Sequence, residues 1–281
     1  MKKTAFADYA ATANLATQAN ACSQTPTTRT NAYLPQTNTS GSFSITRGYL
    51  IQLNNNNTYN LSTVTAENDT QTSYSTALTT TAIANNIAIP PSGVIFAEDN
   101  VWVRSNSTFT GRLTIGAGRL ASATNNAEIV IADDVVYSSK NGSVALGLVA
   151  EHSITIAPYA PPQSGSFNFE VDAAVIAQTG DVLFPVTYRS SSGNCTRGYK
   201  NADQTMTYYG SVATRLIWTW LWGVGGGSCG NAVNDSPNGY ISGFKYNTTQ
   251  YDYNLEYTPP PSFPITSTYN VLSWREVLTK P

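Results

Sequence analysis

The chain has 281 residues, of which 15 are basic and 17 acidic, with one histidine, a net charge of −2 and a pI near 5.4. Only 11% of residues are charged, against about a quarter in ordinary soluble domains, while Thr, Ser, Asn, Tyr and Gly are abundant. No basic stripe is left to neutralise phosphates, which argues against nucleic acid as a partner. A surface held in water by hydroxyls and amides is typical of exported surface and fibre proteins.

The opening segment MKKTAFADYAATANLATQANAC offers a basic start and an Ala19-x-Ala21 pattern. Asp8 and Asn14 interrupt the apolar run that a signal peptide needs. The segment reads instead as a short N-terminal amphipathic α-helix, with Phe6, Ala10, Ala13 and Ala16 or Ala19 on one face. No stretch approaches the roughly 18 apolar residues of a spanning helix, so the sequence predicts no membrane span. Ser23 to Ser42 is a polar linker, and Phe43 to Leu53 predicts a strand pair around Gly48. The run beginning Asn54-Asn55-Asn56-Asn57 then returns to turn-formers. Residues 1–90 are assigned to the helix, linker and cap, and residues 91–281 to a β-rich domain with a Tyr- and Pro-rich closing segment.

From Val94 to Trp218 nearly every segment has strand composition. Six copies of one pattern appear, each a short apolar strand running into a small residue, then one to three polar or Gly positions, then another strand. Aligned on Ala97, Gly116, Ala132, Ala150, Ala177 and Ala213, the copies are 19, 16, 18, 27 and 36 residues apart. A quasi-period near 18 predicts an all-β fold of the right-handed parallel β-helix (β-solenoid) type, with those six small residues in a column at the bends. Solenoids need capping segments at their ends, and residues before about 90 and the C-terminal stretch with Pro259, Pro260, Pro261 and Pro264 are assigned that role.

Cys195 and Cys229 both fall in Gly- and Ser-rich excursions, which predicts a disulfide between them and leaves Cys22 unpaired. No CxxC pair or His-rich tract suggests zinc. Carboxylates gather at the bends: Glu98 and Asp99, Asp133 and Asp134, Glu151, Glu170 and Asp172. Asp133, Asp134 and Glu151 are the acids an enzyme reading would use as general acid and base. The bland reading has them capping turn amides or facing solvent. Structural calcium held by these acids and turn carbonyls is a further option, although neither an EF-hand loop nor a G-G-x-G-x-D repeat is present. No organic cofactor is implied, and His152 has neither a nucleophile elbow nor a second histidine beside it.

LIWTWLWG (Leu216 to Gly223) is the most unusual local feature. In a continuous strand Trp218, Trp220 and Trp222 share one face with Leu216. Such a ladder either stacks on sugars or a protein partner, or lies buried beneath the cysteine-bearing loops and the Tyr-rich C-terminal segment.

The successive runs GVIFAEDNVWV, GRLTIGAGRL, EIVIADDVVY, LGLVAEHSITIAP, FEVDAAVIAQTG, YYGSVATR, NTTQYDYNLEYTPPPSFP and SWREV resemble the C-terminal β-rich domain of unknown function in bacterial pilin-like and pilus-assembly proteins. The likeness covers about two thirds of the chain. It implies an extracytoplasmic domain carried behind an N-terminal pilin-type helix, with no established enzymatic activity and no catalytic residues. This chain departs from that pattern in lacking the prepilin cleavage motif and the apolar helix.

The expectation is therefore a non-enzymatic, extracytoplasmic structural or adhesive module at a cell surface or pilus, whose partners are proteins of that assembly or surface glycans. The alternatives are a carbohydrate-active enzyme or a carbohydrate-binding module.

Overall fold

The computed structural model describes residues 32–37, 46–68, 73–120, 127–160, 168–185, 188–189, 195–197, 205–224, 233–234, 240–244 and 246–264. The N-terminal helix expected over the first residues lies outside this set. The strands in chain order are β1 (Tyr33–Leu34), β2 (Gly48–Leu53), β3 (Thr58–Glu67), β4 (Leu78–Ala88), β5 (Val94–Ala97), β6 (Asn100–Ser105), β7 (Arg112–Ala117), β8 (Ile129–Ile131), β9 (Ala145–Ala150) and β10 (Ile154–Ile156). They continue with β11 (Asn168–Ala177), β12 (Val182–Leu183), β13 (Tyr188–Arg189), β14 (Cys195–Arg197), β15 (Thr205–Thr214), β16 (Trp218–Thr219), β17 (Leu221–Val224), β18 (Val233–Asn234), β19 (Tyr240–Gly243) and β20 (Tyr246–Tyr251). Helix among the described residues amounts to one turn, α1 (Tyr74–Ala77), and a 3-10 turn at Tyr253–Glu256.

Two large sheets carry the molecule. One has seven strands in the order β1-β5-β7-β9-β11-β15-β20, parallel at every pairing. The other has eight, ordered β16-β12-β10-β8-β6-β2-β3-β4, and is mixed, because β2, β3 and β4 form an antiparallel meander. The expectation of a right-handed parallel β-helix is thereby corrected to a pair of sheets, one parallel and one mixed. The physical reason for the mixed sheet lies in the Asn54–Asn57 run. Asn57 takes a positive φ of 60° and Asn54 N donates to Thr58 O at 3.0 Å, closing a tight hairpin where a parallel connection would need a long crossover. Strands from before residue 90 share these sheets, since β1 pairs with β5 and β2 with β6.

The core lies between the sheets and is filled by alternate residues of each strand, as in Phe169, Val171, Ala173, Val175 and Ala177 of β11. Val101 and Val103 of β6 and Ile129 and Ile131 of β8 meet them from the other side. The outer face of the parallel sheet is buried too. Val94, Phe96 and Val149 pack there with Phe263, which explains why these strands read as unbroken apolar runs. Phe263 arrives on a C-terminal strap that leaves β20 and recrosses the sheet. Arg112 Nη2 donates to Thr258 O at 2.8 Å and Pro259 O at 2.6 Å, and Thr114 Oγ1 donates to Pro261 O. Gly147 makes the crossing possible: a Cβ there would sit 2.5 Å from the Phe263 ring.

Candidate functional site

The row of small residues is partly in register. Ala97, Ala117, Ala150 and Ala177 are successive partners across the parallel sheet. Gly116 and Ala213 stand one residue earlier on their strands, since Gly116 pairs with Phe96 and Ala213 with Ile176. Ala132 belongs to the other sheet, where its N–H donates to Val103 O at 2.9 Å just past β8. The six positions therefore form no single column, because copies built on strands of different sheets resemble one another locally.

The bend carboxylates divide between two flanks. On the flank where strands of the mixed sheet hand over to the parallel sheet, Asp133 lies 3.5 Å from Arg104 Nη2 and accepts from Asp134 N. Asp134 in turn accepts from Glu170 N at 2.7 Å. Lys140 Nζ sits 2.7 Å from Glu170, 2.9 Å from Asp172 and 4.8 Å over the Tyr209 ring, and Asp172 also accepts from Tyr137 N at 2.8 Å. Burial raises the carboxyls of Asp134 and Asp172 to about 6. For Asp134 the negative charges of Asp133 and Glu170 add to the effect.

On the opposite flank Glu151 accepts from Arg119 N at 2.9 Å, and the Arg119 guanidinium lies 3.7 Å from Asp99. Asp99 accepts from Thr37 N and Oγ1, both at 2.8 Å, and burial raises its carboxyl. Glu170 lies beside Asp134, whereas Ala177 pairs with Ala150 next to Glu151. Those two positions of β11 are a strand's length apart, roughly 20 Å at about 3.3 Å per residue. Glu151 thus cannot work with Asp133 or Asp134 on one glycosidic bond, which needs carboxyls about 5 to 9.5 Å apart. Each of the three acids already accepts from a backbone amide, Asp133 from Asp134 N, Asp134 from Glu170 N and Glu151 from Arg119 N. Among the described residues no group of three or more His, Cys, Asp or Glu side chains is disposed to hold a metal ion.

His152 Nδ1 lies 2.6 Å from Glu128 Oε1 and 3.2 Å from Ser153 Oγ. The Glu128 hydrogen bond raises the imidazole's pKa. Both neighbours address the same ring nitrogen, whereas a Ser-His-acid relay uses one nitrogen for each. Ser153 Oγ also accepts from Asp181 N at 3.1 Å, which makes it a turn cap.

The tryptophans are not a flat ladder. β16 ends at Thr219 and β17 begins at Leu221 in a separate three-stranded antiparallel sheet, ordered β17-β19-β18, so the strand parity is broken at Trp220. Trp218 is 46% exposed, while Trp220 is 5% exposed and packs on Tyr208 with ring centroids 5.5 Å apart. Trp222 is half-buried and donates its indole N–H to Phe184 O at 2.8 Å. Phe244 lies over Phe169 and Phe184 at 5.5 and 5.4 Å, completing an aromatic plug at this end of the core. The side chains of Cys195 and Cys229, and hence their pairing, lie outside the described residues, as does Cys22.

The large apolar side chains exposed among the described residues are Leu216, Ile217, Trp218, Tyr246, Tyr251, Tyr253 and Tyr257. They lie on β16 and β20, the last strands of the two sheets, in the bend just before β16 and in the turn after β20. β16 is the terminal strand of the mixed sheet and β20 of the parallel sheet, so this end is the candidate functional surface. Sequence reasoning marked Trp218 but missed the tyrosines, because Tyr-rich alternation reads as any half-buried strand. It also missed Glu67, a half-buried residue whose carboxylate accepts from Trp102 Nε1 at 2.9 Å and Tyr159 OH at 2.7 Å. No signal near Glu67 could have found these partners, which lie 35 and 92 residues away. No protein-family model, curated protein or solved structure matches the chain.

Proposed function

We propose that this protein is a non-enzymatic, extracytoplasmic structural or adhesive module, associated with a cell surface or pilus, that meets its partner through the C-terminal end of the paired sheets. The observation that carries this reading is the confinement of the exposed large apolar side chains to that end. Elsewhere among the described residues the large apolar side chains are buried or half-buried, so the confinement is not a consequence of composition. The low charge of the chain and the likeness of its strand motifs to pilin-associated β domains support an extracytoplasmic setting. The engagement of Asp133, Asp134 and Glu151 with backbone amides favours a binding role over hydrolysis. A carbohydrate-binding module is the second reading, favoured by Trp218, whose ring meets Trp220 edge-on at 6.2 Å and leaves a face for a sugar to stack on.

The test is a glycan array run beside a cell-surface attachment assay, with wild type, Trp218→Ser and Asp133→Asn/Asp134→Asn proteins. Attachment lost in Trp218→Ser and kept in the double Asp variant is expected. Cleavage of an acidic polysaccharide that disappears in the Asp variant would overturn the reading in favour of an enzyme.

A further inference from the structure

We propose that β20 is a self-association edge, at which two copies of the chain pair their β20 strands antiparallel across a two-fold axis through Thr249 and so join their parallel sheets. This goes beyond the proposed function and stands whether or not the Trp218 surface binds a ligand.

The backbone fixes which residues face outward. Asp252 N donates to Gly210 O, and Gly210 is the register partner of Tyr251. Peptide groups along a strand turn alternately to either side, so the even-numbered residues of β20 bond to β15. Asn247, Thr249 and Tyr251 therefore direct N–H and C=O to the side away from β15, where no other described strand lies. In a two-fold antiparallel pair the axis passes through a residue facing its own copy. Centring on Thr249 engages all three outward residues, with Asn247 opposite Tyr251 of the second copy, and forms roughly six N–H···O bonds.

The strand's chemistry selects a second copy as occupant. Tyr246–Tyr251 reads YNTTQY and carries no formal charge, so facing it with itself brings no like charges together. The register sets Thr249 on Thr249, Asn247 on Tyr251 and Thr248 on Gln250, and every such pair can exchange a hydrogen bond. The interface is self-complementary, as two-fold contacts must be. The strand runs six residues in unbroken register with β15 and has none of the usual guards of an edge, namely Lys, Pro or a bulge. The last strand of the mixed sheet, β4, is equally uncharged but breaks register with β3 at three places, which spoils it as a template.

The decisive measurement is sedimentation equilibrium of the full chain over a wide concentration range. Thr249→Pro deletes an N–H that β15 does not use, so the fold should melt unchanged while dimer dissociation rises roughly a hundredfold. Thr249→Lys, which sets two charges face to face on the axis, should do the same and decides the matter if the proline variant fails to fold. Thr249→Cys should cross-link two copies under oxidation, because opposed residues of a hydrogen-bonded pair lie about 5.5 Å apart at Cα, within disulfide reach. Asn247→Cys, facing Tyr251, should add no cross-link to the wild-type background. A wild type that stays monomeric throughout, a dimer indifferent to both Thr249→Pro and Thr249→Lys, or cross-linking at 247 but not 249 would overturn the proposal.

Discussion

The two ends of the paired sheets treat the same problem differently. At the N-terminal end the mixed sheet turns antiparallel, and its last strand, β4, exposes small residues such as Thr79, Thr80, Thr81 and Ala82 along a bulged edge. At the C-terminal end β20 is regular, lined by Tyr246 and Tyr251 and followed by Tyr253 and Tyr257. Neither edge has charges to repel a partner. A bulge twists an edge out of plane and leaves an incoming strand without continuous register, whereas a straight edge with aromatics offers both hydrogen bonds and contact area. The two edges differ in backbone geometry and side-chain size.

The sharpest way to break this comparison is inside the C-terminal end itself. Trp220→Ala empties the aromatic plug and should cost about 3 to 5 kcal/mol, while Trp218→Ala, two residues away but exposed, should cost less than about 1 kcal/mol. Urea unfolding of the two variants checks this, and equal losses would mean that both rings belong to the core. At the N-terminal end Glu67→Ala should cost about 1 to 3 kcal/mol, because it strands the buried Trp102 N–H and Tyr159 hydroxyl. Glu67→Gln, which retains an acceptor, should recover part of that loss in the same assay.

Between the ends, pH separates the flank acids from both. Asp134 and Asp172 are raised from an ordinary 3.8 to about 6 in the folded protein. An acid with a raised folded pKa contributes stability that is full below its unfolded value and is lost as pH climbs through the folded one. Stability should therefore fall between about pH 4 and pH 6 on their account. Asp134→Asn should flatten that fall in melting curves while still accepting from Glu170 N. A pH profile identical to wild type would remove Asp134 from the account. The smallest effect belongs to the exposed rim, where Tyr257→Ser, at a side chain 83% exposed, should leave the melting temperature within the range of an ordinary surface change, about ±0.5 kcal/mol.

Much of the strand content was legible in the chain because it is local. The runs around Val94, Leu113, Ile129, Leu146, Val171 and Tyr208 are all strands, and Ala97, Ala150 and Ala177 come into one row only through Ala117, a neighbour of the expected Gly116. The turn at Asn54–Asn57 was visible, but its consequence, an antiparallel meander, was not, because hairpin and crossover share the same polar signal. The candidate surface was half legible. Trp218 stands out in LIWTWLWG, yet the parity argument failed at Trp220, where the chain leaves one sheet for another.

Period-2 alternation and turn chemistry are properties of neighbouring residues, so a β-rich protein of low charge with small residues at its bends could be read from the chain alone. Which strands share a sheet is a matter of register between residues dozens of positions apart, and that register is set by packing in three dimensions. The partners of Glu67, the path of the strap to Phe263 over Gly147 and the place of β20 as the last described strand of its sheet are all of this second kind, for each depends on which distant segment is packed alongside.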